Sequence, residues 1–213
     1  MHDFDQLIPD ARRFTSELRD NNTRDWFHAN KDRFDDRLRT PALALLDAMC
    51  GPLRDLTGHD ATPKLFRPQR DVRFSKDKTP YKAHLHMLWR LAAGGRQDPA
   101  LFFGIDPEGA SVGVGVFDFG KDVLADWRKM IDLDGPRFAS AIEGAQAQGW
   151  QLWEPELKRV PPPFGKDHPQ ADLLRHKRLV MTRALPGDGP LTDRLTSAYA
   201  ETLPVLRVLD SVL

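Results

Sequence analysis

Between Arg67 and Lys82 the chain reads RPQRDVRFSKDKTPYK, the densest run of residues able to do chemistry. Arg67, Arg70, Arg73, Lys76, Lys78 and Lys82 stand against Asp71 and Asp77, a net charge of +4. The whole chain balances 31 basic against 31 acidic residues, so everything outside this run carries −4. Concentrated like charge is repulsive unless something neutralises it. That neutraliser is either an anionic ligand or carboxylates of the fold itself. A planar guanidinium donates two parallel hydrogen bonds to a phosphate or carboxylate. Arg67, Arg70 and Arg73, with Lys76, Lys78, Lys82 and Tyr81, therefore form a candidate cradle for an anionic small molecule. Lys158, Arg159, Lys166 and His168 are late-chain residues that could join it. In the alternative, Asp71 and Asp77 orient the arginines, and the run is a structural salt-bridge hub or a contact for an acidic protein partner.

Two histidines follow. His84-x-His86 places both imidazoles on one face of a strand, a spacing compatible with a pair of metal ligands or with acid–base work on a bound phosphoester or amide. Asp71 is the candidate third ligand across a hairpin, but nothing fixes it there, so no metal is assigned. No GxSxG elbow and no glycine-rich GKS/T loop is present, and Cys50 has no neighbour that would lower its pKa. No cofactor is assigned, and whether the protein is an enzyme stays open. In SVGVGVFDF the third glycine of a dinucleotide fingerprint is misplaced; the glycines instead leave room on a sheet face for a large side chain or a ligand.

These residues need elements to position them. Val72 and Phe74 alternate with Asp71, Arg73 and Ser75, the period of a half-buried strand, so Phe74 is expected in the core. Lys76 to Thr79 is a polar turn before Pro80. Alternation resumes with Ala83, Leu85, Met87, Trp89 and Leu91 on one face, and His84, His86 and Arg90 on the other. The pattern predicts two antiparallel strands, with Asp71, Arg73 and Ser75 on the same face as His84 and His86.

The run RPQRDVRFSKDKTPYK resembles the signature of the domain of unknown function 2461 family. The resemblance extends over most of the chain: Phe14, Leu18, Asn21, Asn22, Arg24, Trp26, Phe27 and Lys31 near the start, LKRVP (157–161) and DHP (167–169) later. PPPF departs from the VPxGF pattern expected before Phe164. The resemblance implies no reaction, substrate or catalytic residue.

Elsewhere, Pro9 and Asp10 start a helix carrying Phe14 and Leu18, and Thr23 caps a second with Trp26 and Phe27 as core. Thr40-Pro41 restarts a third, closed by Gly51-Pro52. A second hairpin turns at DPEG (106–109). Helices follow around Val123–Ile131 and from Gly135-Pro136. Trp150 to Val160 is extended, a short helix ends at Leu174, RLVMTRAL (178–185) is a strand, and a helix bent at Pro204 runs from Leu191 to Leu213. Helices, then adjacent antiparallel strands from two hairpins, then further helices predict an α+β fold, taken as one domain over 1–213. Hydrophobic residues at 40% and charged ones at 29% suit a soluble globular protein. MHDFDQ lacks a signal pattern and no apolar run reaches membrane-spanning length, which makes the cytoplasm the default. A pI near 7.1 argues against nucleic acid as partner, leaving a nucleic-acid-processing enzyme as the weakest alternative.

Overall fold

The computed structural model describes residues 4–213; the first three residues of MHDFDQ lie outside them. Helix α1 spans Leu7–Asp20 and buries Leu7, Ala11, Phe14 and Leu18 on one face. Thr23 accepts a hydrogen bond from the Trp26 amide and so starts α2, Arg24–Ala29. Phe27 enters the core and Trp26 packs beside it. Helix α3, Lys31–Phe34, runs through a π-helical turn, Asp35–Arg39, directly into α4, Thr40–Thr57. Thr40-Pro41 is therefore a continuation and not a restart. Pro52 lies inside α4, which closes only at the left-handed Gly58. A proline inside a helix costs about 3 kcal/mol. Burial of Leu45, Leu46, Met49 and Leu53 against the sheet, about 1.5–3 kcal/mol each, outweighs it.

Six antiparallel strands follow the order β1-β2-β3-β4-β6-β5. They are β1 Asp60–Leu65, β2 Leu85–Ala92, β3 Ala100–Ile105, β4 Ala110–Val116, β5 Gln151–Leu152 and β6 Leu179–Ala184. The fold is α+β, as the order of patterns predicts. Leu85, Met87, Trp89 and Leu91 point into the core, where the Trp89 indole donates to the Leu46 carbonyl at 2.9 Å. The β3–β4 hairpin turns through Asp106–Gly109, with Asp106 N–H donating to Gly109. Helix α5, Lys121–Ala147, is broken at Asp134, just before Gly135-Pro136. Only 151–152 of the expected 150–160 strand is extended in a ladder. Helix α6, Ala171–Leu174, precedes β6. The closing helix is two, α7 Leu191–Ala200 and α8 Leu203–Asp210, divided just before Pro204. No helix among the described residues is long and apolar enough to cross a membrane.

The strand expected at residues 71–75 is not one. The antiparallel partner of β2 is β1, in register Leu65↔Met87. Residues 66–84 form the connection. Its base is a single bridge, Gln69↔Tyr81, with Arg70 N–H donating to Pro80 and Lys82 N–H to Pro68, both at 2.8 Å. Phe74 is 96% exposed at the loop tip, not in the core. The two sheet edges differ in kind: β1 carries Pro63 and Lys64, and β5 is two residues long.

Candidate functional site

One face of the sheet packs on helices; the other carries a cavity of about 450 Å³. Strand pairing explains its shape. His86, Gly104 and Ser111 lie side by side across β2, β3 and β4, and the next row places Phe102, Gly113 and Thr182 together. Each row has a glycine between larger neighbours, so the sheet surface is hollowed. A Cβ on Gly104 would stand 2.9 Å from the His86 ring and 3.4 Å from Ser111 Oγ. A Cβ on Gly113 would meet Thr182 at 3.1 Å and Phe102 at 3.2 Å. Aromatic walls rise from this floor: Phe66, Phe102, Phe117 and Trp153. Phe117 sits 4.4 Å from Phe102 and 5.7 Å from Trp153, centroid to centroid. The Trp153 indole donates to Thr182 Oγ1 at 3.1 Å, which fixes its ring. Lys82 is the cation of the lining.

His84 and His86 stack at 3.7 Å. The His86 ring keeps an exposed edge but is partly desolvated against the sheet at Gly104, and this, helped by the neighbouring His84 and the charge on Lys82, pushes it down to about 4. Burial lowers His84 too, with Lys82 adding to the effect and Asp106 opposing it. Both rings are therefore neutral at pH 7, able to donate or accept one hydrogen bond per nitrogen. Among the described residues no third histidine, cysteine or carboxylate joins them in a metal-ligating group.

The remaining residues of the basic run are dispersed. Arg70 donates to Asp77 and Thr79, and to Ser75 Oγ at 3.4 Å. Asp77 also accepts from the Thr79 amide and hydroxyl at 2.9 Å each; these bonds, the amide's foremost, together with Arg70 hold its carboxyl down to about 2. Arg73 forms a two-pronged pair with Asp71, at 2.9 and 2.6 Å, entirely on the surface. Lys78 donates to the Val72 carbonyl at 3.0 Å. Lys76 is exposed on the same loop. Arg67 lines a separate hollow beside α3. Tyr81 is no cradle residue: its ring is buried, stacked on Phe27 at 4.1 Å, and its backbone is clamped by Asn22, which donates to the Tyr81 carbonyl and accepts from its amide. His168 faces Asp132. Of the sequence candidates, then, Lys82 and His86 reach the sheet cavity, with His84 stacked behind. Asp71, Arg73 and Ser75 do not share the histidines' face.

Sequence reasoning missed Phe66, Phe102, Ser111, Phe117, Trp153 and Thr182. The available signal was the row of small residues on one face of β4: Gly113 does leave room, as read, for the side chains of Phe102 and Thr182. Gly115 has another reason, since its φ of +136° and close approach to the Leu179 carbonyl admit no side chain.

Helices on one face of an antiparallel sheet and an aromatic hollow on the other define an α+β protein with a cavity of ligand size. Residues 10–209 match the model of the conserved hypothetical protein family DUF2461, and the chain belongs to that family. No curated protein matches it.

Proposed function

We propose that the protein binds a small organic molecule with a flat apolar body and one anionic group, seated on the bare face of the sheet. The observation that carries this reading is the aromatic-walled cavity with Lys82 at its lining. Ligand pockets are mostly apolar, with a few placed polar groups to fix orientation. Here the aromatic rings would sandwich the body, Lys82 would meet the charge, and His86 and Ser111 would supply directional hydrogen bonds. This narrows the anionic-ligand expectation from the whole basic run to its last residue and the strand that follows.

The test is a thermal-shift and tryptophan-fluorescence titration with aromatic carboxylates, aromatic phosphates, and their neutral and aliphatic counterparts, Trp153 reporting occupancy. Aromatic anions should raise the melting temperature, since binding to the native state alone stabilises it. Lys82→Met should abolish the preference for the anion, and Phe117→Ala, at a half-exposed wall, should weaken binding without unfolding the protein. No shift with any aromatic anion, or the same shift in both variants, overturns the reading.

For the loop tip itself a second reading is favoured by Arg70 and Arg73 being engaged with Asp77 and Asp71. There the basic run acts as its own salt-bridge hub, holding the loop's shape.

A further inference from the structure

A second hollow, of about 550 Å³, lies on the other side of Phe66, between the π-helical turn and the start of the basic run. Its floor is apolar, with Phe27, Phe34 and Leu65, and its polar lining is Lys31, Asp35, Arg39, Arg67 and Gln69. Three cations thus surround one carboxylate. Asp35 is shared, in contact with Lys31 and 4.0 Å from Arg39. Arg67 has no carboxylate within salt-bridge distance among the described residues, and Asp71, whose carboxyl feels its charge, is occupied by Arg73.

The backbone explains how the cations come into line. Lys31, Asp35 and Arg39 are four residues apart. A step of four overshoots one turn of an α-helix and undershoots one turn of a π-helix. The first step is α-helical and the second is the π turn Asp35–Arg39, so the second rotation offsets the first, and Lys31 and Arg39 both line the hollow. The opposite wall is held just as firmly: the Phe27–Tyr81 stack, the Asn22 clamp and the Gln69↔Tyr81 bridge tie the base of the 66–84 loop to α2. Leu43, 44% exposed, is a large apolar side chain left uncovered at this hollow.

We propose that this hollow is a second binding site, for an organic oxyanion: a phosphate or carboxylate held by Arg67, Arg39 and Lys31 over an apolar group resting on Phe27, Phe34 and Leu65. The net positive lining favours a doubly charged head, and guanidinium forks match its oxygens. The site is distinct from the sheet-face cavity, whose diagnostic residues are His86 and Trp153; Phe66 is the wall common to both.

The experiment is a chemical-shift titration of the isotope-labelled protein with phenyl phosphate, inorganic phosphate and benzyl alcohol at low salt. Phenyl phosphate should saturably shift Lys31, Arg39 and Gln69, with inorganic phosphate binding roughly tenfold more weakly and benzyl alcohol leaving these residues unmoved. Phenyl arsonate and benzoate, run alongside, separate a requirement for a doubly charged head from a preference for carboxylate. Arg67→Gln, at an exposed and unpaired position, should weaken phenyl phosphate roughly tenfold or more with the spectrum otherwise intact, and Arg39→Gln should do the same. Saturable shifts confined to His86 and Trp153, no saturable shift, or undiminished binding in both variants overturns the second site.

Discussion

Phe74 shows how a residue's neighbours in sequence can misplace it. VRF between charged residues has strand period, but period alone does not supply a strand to pair with, and β1 already occupies the edge of β2. The alternation at 71–75 is a loop turning on its own ion pairs, with Arg73 near the Phe74 ring at 6.0 Å. Phe74→Ala should therefore leave stability within about 0.5 kcal/mol of wild type, whereas Trp89→Ala, which empties a fully buried site and removes the indole bond to the Leu46 carbonyl, should cost about 3–5 kcal/mol. Urea denaturation of the two variants checks both; a comparable loss in each would show that Phe74 packs in solution. Arg73→Gln belongs with Phe74, because its partner Asp71 is also exposed and nothing buried is left unpaired.

At the scale of elements, what could be read was whatever had an unbroken period and local punctuation. The alternation of β2, the Asp106–Gly109 turn, the Thr23 cap and the interruptions near Gly135-Pro136 and Pro204 all rest on contacts within a few residues. Strand β1 was missed because Thr62, Pro63 and Lys64 look like a loop, and only pairing with β2 makes them a strand. The end of α4 was misread at Gly51-Pro52 because tertiary burial outweighed a local breaker. The 66–84 connection is long for a hairpin and is held at its base by a residue far away in sequence, Asn22. Asn22→Ala removes both bonds to the Tyr81 backbone and should cost about 1–3 kcal/mol locally. Hydrogen exchange of residues 68–82 should accelerate while the β2 and β3 amides stay protected; uniform acceleration across the sheet would mean that the clamp supports the whole fold.

For the molecule as a whole, the site was half legible: its polar end, Lys82 and His86, belongs to one continuous run, but its aromatic walls come from 66, 102, 117 and 153, which only the sheet brings together. Burial also links the site to global stability. His84, His86 and His176 all lie below the ordinary histidine value, burial being the first cause for each. The unfolded chain therefore binds more protons than the native state from about 6.5 down toward 4, so stability should fall as pH falls through that window, most cleanly in its upper part, before the carboxylates titrate. His86→Gln should flatten part of this slope, less than a fully enclosed ring would, because His86 keeps an open edge. Denaturation midpoints at about pH 7.5, 6 and 5 measure it; an unchanged slope in the variant would place the acid sensitivity elsewhere. A last consequence follows from the sheet's two ends. Pro63 offers no backbone donor, Lys64 brings charge, and β5 is too short to template a neighbour. Both borders are poor templates for a strand from another copy, so crowding should not drive this protein into fibrils or edge-to-edge polymers. Pro63→Val would remove that guard, and light scattering of concentrated samples should then rise with time where wild type stays flat.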